Sequence, residues 1–379
     1  MPTHKPTVDL IHYFNDLDDP RIDRNKLHAL PDILLIVFCG AICGVETWED
    51  FVDFGHSKIG FLRKYADLKN GIPSKNTFNR VISSLDPEAF KRCFLRWVHD
   101  FKQELGNVVA IDGKTLRRSY DKANERSAIH MVSAYASEAR LVLAQEKVSE
   151  KSNEITAIPK LIDTLNIKGA VVTIDAMGCQ KAISEKIIEA GGDYVLAVKG
   201  NQNTLHSEIA RHFNHLFDMT HNKHVDVSTQ KNQSRGRLES RKCLTTDDLE
   251  WLSVREHWRG IRSVAVVEAK RAVDGVTTTE TRYYISSLAS DADSLNSIIR
   301  AHWGVENSLH WVMDVVFGED NSRIRSHHGA ENMSMIKHVA LNKLQAAKPN
   351  FEKRMTIKRL RKKAGWDDAT LDTILRTEI

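Results

Sequence analysis

Residues 8 to about 103 place apolar side chains at helical spacing, in Leu27 to Cys43, Trp48 to Leu62 and Phe90 to Phe101, with few strand-like alternations. The pattern predicts a separate all-helical unit over residues 1–104. Within it, Pro73, Ser74 and Thr77 precede Phe78, Val81 and Ile82, the sequence of a capped short helix after a turn, as in helix-turn-helix proteins.

From Val108 the period shortens. "VVAIDG", "IHMVSAYA" and "ARLVLAQEKV" read as three strands in a row, a meander, followed by a helix from Glu154 to Leu165. "GAVVTIDA", a helix from Gln180 to Ala190, the strand "DYVLAVKG" and an amphipathic helix through Leu205, Ile209, Phe213 and Leu216 continue the series. Such a βαβα order is solved most simply by a mixed sheet with helices on its faces, an α/β fold. Residues 220–286 return to strand-like composition and predict a β insertion, with "SVAVVEAKRAV", a turn at Asp274 and Gly275, and "TTTETRYYISSL" as a hairpin. After Ser290 the chain reads as helical through Trp303 and Val316, and again from Ala330 to Leu344. The α/β unit is thus expected over residues 105–348, and residues 349–379 as a basic tail.

Composition narrows the class. A chain of 379 residues, 41% hydrophobic and 27% charged, has the balance of a folded protein with two or three units. The longest apolar run, Ile33 to Val45, is broken by glycine and falls short of the ~20 residues of a bilayer span. His4, Lys5 and Asp9 stand where an export signal needs its apolar core, so the expectation is a cytoplasmic protein with no membrane partner. Cys39, Cys43, Cys93, Cys179 and Cys243 are odd in number and scattered, which predicts buried free thiols. His206, His212, His215, His221 and His224 fit no zinc spacing and read as surface or DNA-facing side chains. A net charge of +4 is only mildly favourable to a polyanion. Its distribution matters more: Lys353, Arg354, Lys358, Arg359, Arg361, Lys362 and Lys363 crowd the carboxyl terminus, and Lys114, Arg117 and Arg118 follow an acidic position.

That position has a twin. "VVAIDG" ends at Asp112 and "VVTIDA" at Asp175, each an apolar run closed by one aspartate and a small residue. Ligands collect at the carboxyl ends of buried strands, and two carboxylates converging there share a proton or bind a cation. Strand-terminal aspartates also cap turns, so either residue alone is ambiguous. A third carboxylate is sought in "RAHWGVENSLHWVMDVVFGED", where Val305, Leu309, Val312 and Val316 form an apolar helix face. Glu306, His310 and Asp314 follow at four-residue steps on its flank. Asp314, Glu319 and Asp320 compete with Glu306 for the role. Three carboxylates holding two magnesium or manganese ions are a standard means of phosphoryl transfer.

Together these stretches resemble the DDE transposases of bacterial insertion elements, in particular the H-repeat-associated branch. The resemblance spans nearly the whole chain: "AIDGKTLRRS", "TIDAMGCQ", "YVLAVKGNQ", "RGRLESR", "TRYYISSL" and "HWGVENSLHWVMDVVFGEDNSRIR". It implies a ribonuclease H-like core, a β insertion between the second and third acidic residues, and an amino-terminal domain of the transposase-associated kind. It assigns catalysis and two Mg2+ or Mn2+ ions to Asp112, Asp175 and Glu306. The implied partner is double-stranded DNA, as element ends and target, in a complex holding a homodimer. Phosphate contacts are expected from Lys114, Arg117, Arg118, Lys199, Arg235, Arg237, Arg300, His302, Arg323 and Arg325. In one respect the chain departs from related elements, which often carry tyrosine, arginine and lysine around the glutamate where this sequence has Ile299, His302 and Met313; Arg300, His302 or His310 are the substitutes. The rival readings are a transposase descendant that binds DNA without cutting it and a nuclease of the same fold without strand transfer.

Overall fold

The computed structural model describes residues 9–101, 106–120, 127–149, 152–214, 225–234, 237–273 and 276–379. Its amino-terminal part is helical: α1 (Asp9–Tyr13), α2 (Leu30–Cys43), α3 (Trp48–Ser57), α4 (Ile59–Leu62), α5 (Lys75–Ser84) and α6 (Pro87–His99). Local chemistry sets the boundaries. Pro31 opens α2 and Gly44, at φ 97°, closes it by donating its N–H to the Gly40 carbonyl. Thr47 and Asp50 form a reciprocal capping box on α3, and the Ser74 hydroxyl accepts the Thr77 N–H at the start of α5. Phe78, Val81 and Ile82 then face inward.

One nine-stranded sheet follows, in the order β3-β2-β1-β4-β5-β9-β8-β7-β6. Strands β1 (Val108–Thr115), β2 (His130–Ala136) and β3 (Leu141–Lys147) form the antiparallel meander. Helix α7 (Glu154–Asp163) then crosses to β4 (Val171–Ile174), which pairs parallel to β1; α8 (Lys181–Glu189) leads to β5 (Asp193–Val198), parallel to β4. After α9 (Asn203–Asn214) come β6 (Asp226–Ser234), β7 (Arg237–Thr246), β8 (Ser263–Val273) and β9 (Val276–Ser286). These four are antiparallel and join the sheet where β9 pairs with β5, so the insertion extends the central sheet. A meander, two parallel strands and covering helices make the core ribonuclease H-like. Leu216 and the turn at Asp274 and Gly275 lie outside the described residues.

Helix α10 (Ala292–Val305) runs on without a break into two π-helical segments, Glu306–His310 and Val312–Val316. Helix α11 (Gly329–Ala347) is buried along most of its length, packing on α2, α5 and α6 and also on β3. The amino-terminal helices therefore share one continuous core with the sheet. Residues expected as a basic tail form α12 (Ile357–Trp366) and α13 (Asp368–Arg376), docked on α2 and α11. Arg361 is buried there, donating to the carbonyls of Val316 and, at 2.9 Å, Ala41, with its guanidinium 3.9 Å above the Phe317 ring. No single described helix is long and apolar enough to cross a membrane. All five cysteines are free.

Candidate active site

The last paired residues of β1 and β4 are Ile111 and Ile174, opposite each other in the parallel ladder. Asp112, still inside β1, and Asp175, the first residue after β4, come next in sequence. Each carboxylate is oriented by backbone: the Gly113 N–H donates to Asp112 Oδ1 at 2.9 Å, and those of Met177 and Gly178 donate to Asp175 Oδ1 at 3.0 and 3.3 Å. Both line one cleft with Glu306, Lys199 and His206, walled by β9 and α10.

The helical acid reaches the cleft by a route that a regular helix does not provide. The Trp311 N–H bonds to the Glu306 carbonyl and that of Phe317 to the Val312 carbonyl, both i→i+5. Two wide turns replace the expected four-residue steps. Glu306 is exposed to the cleft instead of bordering the buried face. His310 Nδ1 sits 3.5 Å from Asp112 Oδ2, and Asp314 turns away to pair with Lys114 at 2.5 Å. The rivals are thereby separated: Glu319 is buried against Lys114 at 2.6 Å, and Asp320 faces Arg117 at 3.5 Å.

Charge in the cleft is unbalanced. Burial, with Asp175, Glu306 and Glu154 nearby, pushes the Asp112 carboxyl up to about 7 despite the Gly113 hydrogen bond. Burial and Glu154 also raise Asp175, and Lys199 opposes them. Glu154 was not singled out by sequence, because an acid in the first turn of a helix reads as a partner of the helix dipole. It lies 2.7 Å from His130 Nε2, and a Cβ on Gly113 would run into its carboxylate. The glycine of "IDG" is there for space. Burial pushes His310 down to about 4, so it stays neutral and cannot balance Asp112. Among the described residues, no three acidic, imidazole or thiol groups are gathered closely enough to ligate one ion. The donor chemistry nevertheless fits a hard divalent cation: carboxylate oxygens in excess, partly desolvated, with the nearest imidazole uncharged.

The expected phosphate contacts divide. Lys114 is internal, held by Asp314 and Glu319. His302 shares a hydrogen bond with Thr173 Oγ1 at 2.9 Å and is pushed down to about 4 by burial, so it carries no charge toward DNA at neutral pH. Ile299 and Met313, at the departed family positions, are core residues. Arg117, Arg118, Lys199 and Arg323 are exposed. Arg325 lies 4.6 Å over the Tyr120 ring and donates to the Arg118 carbonyl at 2.8 Å. Arg300 stands 3.9 Å from Glu239. Arg235 falls outside the described residues, and Arg237 begins β7. Of the histidines, His212 stacks on Trp251 at 4.0 Å; His215, His221 and His224 fall outside the described residues.

A family model described as "Transposase DDE domain" matches residues 103–343, the span that holds all three acids and the whole sheet. The chain belongs to this transposase family. A second model, "DDE_Tnp_1-associated", matches residues 11–98. Among relatives of this transposase-family chain, "H repeat-associated putative transposase YhhI" of Escherichia coli (strain K12) is 42% identical over 339 residues, covering 88% of this chain and 89% of the relative. "Putative transposase YncI" of Escherichia coli O157:H7 is 40% identical over 374 residues, 97% of this chain and 94% of the relative. "Inactive transposase YbfQ" of Escherichia coli (strain K12) is 42% identical over 74 residues, only 20% of this chain.

Proposed function

We propose that this chain is an active transposase that cleaves DNA at the ends of its element and joins the resulting 3′ hydroxyls to target DNA. The observation that carries this is the pairing of Ile111 with Ile174, the residues just before Asp112 and Asp175, which both line a cleft with Glu306. Asp112, Asp175 and Glu306 would hold magnesium or manganese ions, which when bound activate the attacking hydroxyl and stabilise the leaving oxygen. The backbone N–H groups of Gly113, Met177 and Gly178 fix the orientation of the two aspartates at the cleft. Lys199, exposed beside Asp175, would take a phosphate of the scissile strand, while Arg117, Arg118 and Arg323 would hold flanking phosphates. An element has two ends and each cleft serves one, so the active complex is a homodimer.

Replacing Asp175 by cysteine tests metal ligation directly. A thiolate binds magnesium poorly and manganese better. Cleavage of a duplex carrying the element's terminal sequence should vanish in magnesium and return in part with manganese. A variant equally active in both ions would remove Asp175 from the metal site.

A further inference from the structure

Alternation along the insertion strands puts Arg241 of β7, Arg271 of β8 and Arg282 of β9 on one face of the sheet. That face forms one bank of a groove; the other is α10, with Arg300 and Trp303, and the π-helical turn that begins at Glu306. Arg282, Tyr284, Trp303 and Glu306 line both this groove and the carboxylate cleft, so the two are continuous. Two of the arginines are already engaged. Arg282 pairs with Glu280 at 2.8 Å and lies 3.9 Å above the Trp303 ring, and Arg300 stands near Glu239. Arg241 is different: its residue is only 8% exposed, its Nε is buried with no hydrogen-bond partner, and it has no ion pair among the described residues. Arg271 is exposed and likewise has no ion pair among them. Burial and the nearby Arg300 disfavour the Arg241 charge and outweigh Tyr284 and Glu239, which favour it.

A guanidinium whose Nε is buried without a partner destabilises the free protein, and a planar fork of donors matches a phosphate's oxygens in pairs. We propose that the Arg241–Arg271 groove binds the sugar-phosphate backbone of a DNA strand running toward Glu306. This rests on the transposase reading for its choice of anion. The groove is a substrate-binding surface that meets the proposed metal ligands at Glu306 and is otherwise supplied by the insertion and by Trp303 and Arg300 of α10. It gives the insertion a direct part in placing the strand, because its arginines and the third acid stand on opposite banks of one channel.

The test uses the full chain, a random-sequence duplex and two variants. Arg241→Met removes the buried charge at similar volume, and Arg271→Ala changes an exposed side chain that the fold does not need. Binding is measured against salt, and thermal stability without DNA. Each variant should lower the slope of log affinity against log salt by about 0.9, the share of one phosphate contact. Arg241→Met should melt at or above the wild-type temperature, since a purely structural arginine would be missed on heating. The proposal is overturned if Arg241→Met melts lower than wild type and binds with unchanged slope. It is equally overturned if inorganic phosphate alone stabilises the wild type through Arg241 while duplex binding ignores both variants. Failure of the transposase reading would look different: the wild-type protein would bind the duplex through Arg241 and never nick an element end in magnesium.

Discussion

Lys114 Nζ lies 2.6 Å from Glu319 Oε2, although 205 residues separate them, and the same ammonium reaches Asp314 at 2.5 Å. The pair ties β1, just beyond Asp112, to the end of the π-helical run that carries Glu306. Behind it, Ser334 of α11 donates to Glu319 at 3.0 Å and Gln145 of β3 donates to Ser334 at 3.0 Å. A basic residue beside an aspartate of the cleft thus acts as an internal clamp.

Lys114→Met should therefore impair the fold more than DNA binding. It leaves the Glu319 carboxylate, 5% exposed, without its main cation. Breaking such a buried pair costs about 3–5 kcal/mol, which denaturant unfolding would read. The salt dependence of DNA binding should stay as in wild type once folded protein is compared. A stable Lys114→Met protein with a reduced salt slope would restore Lys114 as a phosphate contact.

Acid should destabilise the protein before ordinary carboxylates titrate. Burial holds His338 neutral and pushes it down to about 4 from an ordinary 6.5, and its Nδ1 lies 3.1 Å from Gln145 Oε1. A depressed folded value means that the unfolded chain binds the proton first. Stability is full above pH 6.5 and falls as pH drops toward 4, by up to ~1.4 kcal/mol per unit for one histidine. Asp112, raised to about 7, works in the opposite sense over part of that range, so the comparison must be with a variant. His338→Gln should flatten the pH 6.5 to 4 decline by about one proton. An unchanged slope would show that His338 is already charged in the fold.

Gly113→Ala should disturb the cleft through Glu154. The added methyl would displace that carboxylate and lie 2.7 Å from His130 Nε2, breaking the Glu154–His130 contact. Loss of a partly buried charged hydrogen bond predicts a destabilisation of roughly 1.5–3 kcal/mol. Glu154→Ala removes the same contact, so the double variant should be little less stable than Gly113→Ala alone. Strictly additive effects would mean that Gly113 acts on something else.

The sheet and its two aspartates were legible because their signal is local. An apolar run closed by Asp and a small residue occurs twice, and the ladder aligns Ile111 with Ile174 one step before each acid. The π turns were not legible: apolar spacing at Val305, Leu309, Val312 and Val316 satisfies a regular helix, and only the i→i+5 bonds set Glu306, His310 and Asp314 on separate bearings. Long-range partners were hidden for the same reason. Arg361 reads as one of a basic cluster, yet its partners are carbonyls of Ala41 and Val316. Truncating residues 1–100 or those after Phe351 would remove parts of the shared core, so DNA contacts there are better tested by point substitutions in exposed positions such as Lys358.

The central claim is that Asp112, Asp175 and Glu306 act together while Asp314 serves the clamp, and one side-by-side assay of Glu306→Gln and Asp314→Asn tests it most directly. Magnesium-dependent nicking and binding of a duplex carrying the element's terminal sequence are measured for both. Glu306→Gln should bind as wild type and lose more than about 100-fold in nicking, whereas Asp314→Asn should lose about 10-fold or less. An active Glu306→Gln enzyme beside an inactive Asp314→Asn enzyme would contradict the assignment.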